Sequence, residues 1–261
     1  MKINYKLGGV LAAIAAMIGL IGHFILFFAW YQIGMHTESA EPGCEILLKT
    51  IHPLLANLGL LGAALFAVSA YGFFSGKKWA FALSVFGIIP ALLGSFFVNI
   101  PFMAAGLPPV YFTLFFPYLV IYFLLMKTVA KLSWSRTLLA LLTGICYIVC
   151  WMNGVSSTSR IITVGADIFV LVQNLHWVAM LGWGVVTAGI LLKPREWQRV
   201  LGLVSGTVEL IVGIPLAVVT AQDLNRFSLF AMAPIVSLIL VVIFVWPGLW
   251  KKWTRYEESA A

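Results

Sequence analysis

Eight stretches of this sequence are long and apolar enough to leave the chain few ways to fold. They run over 7–31, 53–74, 79–99, 110–126, 137–153, 168–192, 200–220 and 228–249. A helix needs about 20 apolar residues to cross the hydrocarbon core of a bilayer. Inside lipid, every backbone amide must find its partner within the protein, which restricts spanning segments to helices or closed barrels. Runs of this length point to helices. The expected fold is therefore all-α, a polytopic integral membrane protein with eight transmembrane helices. The fourth and fifth runs are short, and the polar stretch 154–167 after the fifth is read as a loop.

Composition agrees. Hydrophobic residues make up 62% of the chain and charged residues 10%, against roughly 25% charged in a soluble domain. The net charge of +7 does not indicate nucleic acid, because the basic residues form short clusters between apolar runs. Lys2 and Lys6 precede the first span. Lys77 and Lys78 follow the second, Lys127, Lys131 and Arg136 the fourth, Lys193, Arg195 and Arg199 the sixth, and Lys251, Lys252 and Arg255 the eighth. The other side keeps only Lys49, Arg160 and Arg226, among Glu38, Glu41, Glu45, Asp167 and Asp223. The positive-inside rule then predicts a protein of the cell membrane with both termini in the cytoplasm. Trp79, Trp134, Trp197, Trp250 and Trp253 are expected at the cytoplasmic interface, and Trp30 and Trp151 near the outer one. The run from Leu7 to Tyr31 is longer than the apolar core of a cleaved signal and is read as a retained first helix.

The chain also shows signs of repeating itself. His52, Trp79, Pro101 and Pro117 find counterparts in His176, Trp197, Pro215 and Pro234, and VNIPFMA (98–104) resembles VGIPLAV (212–218). Residues 1–130 and 131–261 would each form a four-helix transmembrane unit. An even helix number makes the two repeats parallel. In this alignment Ser95 corresponds to Glu209 and Asn99 to Gly213.

The seventh run, LGLVSGTVELIVGIPLAVVT, carries Glu209 at its midpoint. A charged side chain at the bilayer centre costs about 2.5–3.5 kcal/mol on insertion scales, so it marks a functional site unless it is paired or wetted. Pro215, six residues on, removes a backbone donor and frees a carbonyl nearby. His23, His176 and Glu209 fall at similar expected depths, and Asp167, Asn174 and Asn99 extend the polar character of the outer half. Asn57 and Asn153 lie in the outer half too, and asparagines such as Asn57, Asn99 and Asn174 also serve as interhelical hydrogen-bonding residues. These residues suggest an outward-facing polar cavity around Glu209, with His176 as its nearest partner. Small residues mark close helix contacts: Gly202 and Gly206 on span seven, and Gly59, Ala63 and Ala67 on span two.

Catalytic and metal motifs are missing. There is no HExxH, GxSxG, P-loop, GxGxxG or CxxC. Cys146 and Cys150 share one helix face as buried thiols, and the acidic 32–52 loop, with His36 and Cys44, is read as solvated rather than metal-binding. No cofactor is implied by a specific motif, and the chain does not read as an enzyme. The reading that follows is a protein of the lipid bilayer that binds or transports a small molecule or cation through Glu209, His176, His23, Asn174, Asn99 and Asp167. The alternatives are a redox subunit holding haem b or a quinone through His23 and His176, and a non-catalytic accessory protein.

Overall fold

The computed structural model describes residues 3–37, 44–163, 167–225 and 227–254. It is 88% helix, and no strand occurs among the described residues. Seven helical stretches are long and apolar enough to cross a membrane. An eighth is reached when Leu229–Val245 and Pro247–Thr254, bent by 98° to each other, count as one. Large apolar side chains such as Phe28, 74% exposed, and Leu171, 76% exposed, stand outward on these helices. That is the surface of an integral membrane protein, whose outer face meets hydrocarbon.

The chain divides into two compact units, Met1–Leu132 and Ser133–Ala261. In the first, α1 (Tyr5–His36) and α4 (Ala80–Phe96) flank α3 (His52–Phe74), and α6 (Phe112–Leu124) touches both α4 and α1. A short turn, α2 (Cys44–Ile46), and a π-helical turn over Leu47–Ile51 lead into α3. Much of the expected 32–52 loop is thus helical. Glu38 and Glu41 lie outside the described residues. The third span breaks at Phe97 and Val98 and resumes as α5 (Asn99–Ala104).

Glycine sets the spacing of the α3–α4 seam. A Cβ on Gly94 would stand 2.6 Å from the Leu55 carbonyl oxygen and 2.9 Å from the Gly59 nitrogen. One on Gly62 would meet the Gly87 carbonyl at 2.9 Å. The backbones therefore touch, as small residues allow in membrane helices. Gly59 and Ala63 lie on the buried face as expected, but Ala67 is exposed, and Gly62, Phe66 and Ala70 continue the buried stripe instead.

In the second unit, α7 (Trp134–Thr163), α8 (Asp167–Leu192), α9 (Glu196–Leu224) and α10 (Met232–Val245) pack each on the next, and α10 closes back on α7. Of the expected loop 154–167, residues 154–163 form the last ten residues of α7 and Asp167 begins α8, while 164–166 lie outside the described residues. The hydroxyls at this end of α7 bond back to the helix's own carbonyls: Ser157 to Asn153, Thr158 to Gly154 at 2.8 Å, and Thr163 to Ser159 at 3.0 Å. A Ser/Thr-rich run satisfies itself this way without leaving the helix. Gly202 and Gly206 admit the ring of Phe244 and the side chain of Val241 from α10. The eighth span ends early, because Pro247 starts α11 (Pro247–Thr254) in a new direction. Trp250 on α11 is fully buried 5.0 Å from Phe244, and Trp151 is buried against Trp177. These two tryptophans are core residues, not the interfacial anchors expected of them. Trp134, Trp197 and Trp79 are exposed.

Basic residues gather at one end of each unit. The Asn4 amide donates to the Val129 carbonyl, which places the start of α1 beside the end of the fourth span, near Lys127 and Lys131. In the second unit, Arg136 donates to the carbonyls of Ile190 and Leu191 at 2.6 and 3.1 Å, and Arg199 to that of Phe244 at 2.8 Å. Cations there satisfy helix C-terminal carbonyls and complement the helix dipole.

The α3–α4 seam makes a direct prediction. Gly94→Ala should lower thermal stability by about 1–3 kcal/mol, the usual cost of overpacking a tight contact. Gly248→Ala, with nothing within 4 Å of its added methyl, should not. Melting of both variants in detergent checks this, and equal melting temperatures would contradict the seam.

Candidate functional site

Glu209 lies in the middle of α9 and is completely buried. Its two oxygens meet two other helices. Oε2 is 3.0 Å from Nδ1 of His176 on α8, and Oε1 accepts from the Asn153 amide on α7 at 2.9 Å. Asn153 also donates to the Phe230 carbonyl at 3.2 Å, at the entrance to α10. Helices α7, α8 and α9 thus meet at one carboxyl group, and Asn153 ties it to the turn that leads into α10. His176 and Asn153 are likewise fully buried.

Local sequence explains why the carboxyl fits. Gly213 lies one helical turn beyond Glu209, and a Cβ there would come within 2.6 Å of Oε1. A glycine is therefore the residue that leaves room for the side chain. Pro215 sits within α9, which continues to Leu224 and ends at Asn225 in left-handed backbone, φ 49°. By contrast Pro101, its expected counterpart, opens the short α5 after a break. The two prolines hold different local structures.

The helix hairpin is short, with only residues 193–195 between α8 and α9. Gln198 closes it, donating to the Lys193 carbonyl at 3.1 Å and accepting from the Arg195 amide at 2.9 Å. This turn sets the register that brings His176 opposite Glu209.

Two thiols extend the cluster. Cys146 and Cys150 are buried and unpaired by disulfide. Cys150 interacts with both Cys146 and Glu209, and Cys146 lies 3.1 Å from the hydroxyl of Ser237 on α10. Each of the two partners keeps one polar atom without a hydrogen-bond partner among the described residues, Nε2 of His176 and Oδ1 of Asn153. No group of three or more metal-ligating side chains occurs among the described residues.

The other candidates fall elsewhere. Asp167 and Asn174 lie on α8 but are exposed, so they do not join Glu209. Seven residues apart, they share a helix face that points away from the core of the bundle. Asn99 and His23 belong to the first unit. Asn99 is fully engaged in backbone: its amide donates to the Ser95 and Phe96 carbonyls, and its oxygen accepts from the Tyr111 amide at 3.0 Å. It braces the break between α4 and α5. His52 is buried and bonds the Tyr111 hydroxyl at 2.7 Å. The cavity expected around Glu209 takes a different form, since the carboxyl is enclosed by packed side chains.

Sequence reasoning passed over Asn153, Gly213 and Cys150 as site residues. Asn153 and Cys150 are three residues apart on one helix, a spacing that already puts them on a common face. Gly213, four residues after the acid, was the other available signal. Comparison with protein-family models, with characterised proteins and with solved structures finds no match for this chain.

Proposed function

We propose that this is a cell-membrane protein, with both termini cytoplasmic, that binds or transports a small solute or cation in step with a proton held between Glu209 and His176. The observation that supports this reading most is the enclosed carboxyl–imidazole contact of 3.0 Å in the middle of a membrane-length helix. A carboxyl and an imidazole at this distance share a proton in either of two ways. The neutral acid donates to Nδ1, or the imidazole donates to the carboxylate. Moving between these arrangements needs no space, which suits a site enclosed by packing. The Asn153 amide donates to the carboxyl in both. The unpartnered Nε2 of His176 gives the proton a second exit.

Reconstituted vesicles test this. With a pH-sensitive dye inside, wild-type protein should relax an imposed proton gradient when its solute is supplied from a panel of cations and small amines. Glu209→Gln should abolish that response while leaving helix content unchanged. A Glu209→Gln protein that still couples proton movement would remove the carboxyl from the mechanism.

Stability separates the pair's structural cost from its role. Breaking a buried pair by removing one member costs on the order of 3–5 kcal/mol, whereas replacing both by apolar residues is often neutral. His176→Leu should therefore melt well below wild type, and His176→Leu with Glu209→Leu should recover most of the loss while remaining inactive. A double variant no more stable than His176→Leu would show that the two groups do not interact energetically.

Orientation has its own test. A reporter fused after residue 130 should be cytoplasmic, and one fused after residue 40 external. A cytoplasmic signal at residue 40 would overturn the topology.

A further inference from the structure

The last span of the second unit ends in a right-angled turn whose far arm takes no part in the Glu209 site. Trp246 leaves the helix with extended backbone, φ −91° and ψ 107°, and Pro247 opens α11 at 98° to the span. A helix at a right angle to a membrane span lies along the bilayer surface. This is the basic end of the unit. Arg199 donates to the Phe244 carbonyl just before the turn, and α11 packs on α7, whose Arg136 covers the end of α8. Trp134, Trp197 and Trp246 are all exposed at this end. Tryptophans exposed there mark the level of the lipid headgroups.

Three arcs run along α11. Trp250 is fully buried, with its ring centre 5.0 Å from that of Phe244, and Thr254, also buried, donates to the Trp250 carbonyl at 2.7 Å. This face fixes the helix to the bundle. Leu249 and Trp253, four residues apart, are half-buried beside it. Gly248, Lys251 and Lys252 are exposed on the remaining arc. Residues three and four apart are neighbours on a helix surface, so both lysines stand one turn from Gly248. A Cβ on Gly248 would meet nothing within 4 Å, which leaves an open notch beside the two lysines. Among the described residues Lys252 forms no ion pair, and Glu196, at the same end, is already held by Arg199 at 2.6 Å.

We propose that α11 binds the headgroup of an anionic phospholipid from the leaflet on its side of the bilayer. Charge selects the lipid. The two lysines complement a phosphodiester whose headgroup brings no amine of its own, whereas a zwitterionic headgroup carries a cation to the same place and loses most of the attraction. A basic amphipathic helix lying in the interface attracts acidic lipids in this way. The half-buried arc sets the depth, because the apolar body and polar edge of Trp253 suit the boundary between acyl chains and headgroups. Burial of Trp250 holds the lysines at that level before any lipid arrives, so little ordering of the helix is left to oppose binding.

The test places full-length protein in nanodiscs of phosphatidylcholine with a trace of photoreactive phosphatidylglycerol or photoreactive phosphatidylcholine, the diazirine near the headgroup. Mass spectrometry of the digested protein locates the label. Labelling of residues 246–254 should be at least about fivefold higher with phosphatidylglycerol, the factor that one lysine beside an anionic surface contributes. Lys251→Gln with Lys252→Gln should bring the two lipids to equal labelling of this segment. The melting temperature should not change, since both side chains are exposed. Lys77→Gln with Lys78→Gln, exposed lysines of the first unit, should leave the preference intact. Glycerol 3-phosphate at millimolar concentration should not compete. Equal labelling by the two lipids in wild type, or a preference that survives in the α11 variant, would overturn the proposal. So would its loss in the Lys77 and Lys78 variant, which would make net charge rather than α11 the source. Full competition by glycerol 3-phosphate would also overturn it, by making the notch a site for a soluble phosphate. Glu209→Gln should leave the labelling unchanged, so this result and that of the proton assay are read independently.

Discussion

A hydrocarbon slab supplies no partner for a backbone amide or a side-chain hydroxyl, and most of this structure answers that one constraint. Helices satisfy the main chain internally. Hydroxyls follow the same rule at shorter range. Ser69, Ser95, Thr128, Thr137 and Ser205 each donate to the carbonyl four residues back. Where helices end, Arg136 and Arg199 cover the carbonyls left over. Asn99 does the equivalent at the break between α4 and α5. Each of these polar residues is spent on closing a local account with the backbone.

Glu209 is handled differently, because no backbone group adjacent to it can neutralise a carboxyl. Its partners come from α7 and α8, and the Asn153 that holds it is also bonded to the entrance of α10. The arrangement requires a glycine one turn away and a tight hairpin to fix register. Such a network is demanding: every member must be satisfied, or the buried groups destabilise the bundle. His176 and Asn153 each retain one polar atom without a partner in the described residues.

The all-helical fold class was legible because twenty-residue apolar runs have one physical solution in a bilayer. Glu209 was legible for the same reason, since a charge in such a run is conspicuous. Its neighbour His176 followed from the short turn between residues 192 and 196, which makes two helices adjacent. Other features were hidden by how little composition says about direction. The run after Asn153 looks like a loop by polarity, and only the back-bonded hydroxyls make it helix. Trp250 looks interfacial beside Lys251 and Lys252, but the bend at Pro247 turns it into the core. Asp167 and Asn174 share a helix face, yet spacing alone does not say whether that face looks inward.

The same limit applies to the internal correspondence, and here the two units, each taken by itself, can be compared. Gly72 packs on Ala80 at the turn between α3 and α4, and Gly189 packs on Gln198 at the turn between α8 and α9. Counted back from those contacts, Gly59 and His176 both lie thirteen residues away, 72 to 59 and 189 to 176. His52, matched to His176 by sequence, lies seven residues further, about two helical turns. The residue level with His176 in its own hairpin is thus a glycine. The gap it leaves is filled by the imidazole of His23, delivered from α1. Opposite Gly59 stands Gly94, where α9 presents Glu209 to His176. One unit therefore sets its imidazole against an acid and closes the helices around it. The other sets its imidazole against bare backbone, and neither ring nitrogen has a hydrogen-bond partner among the described residues. An imidazole tied to a carboxyl is suited to holding a proton, and one wedged on bare glycine backbone is suited to filling the space between two helices. The difference follows from a glycine standing where the other hairpin has a histidine.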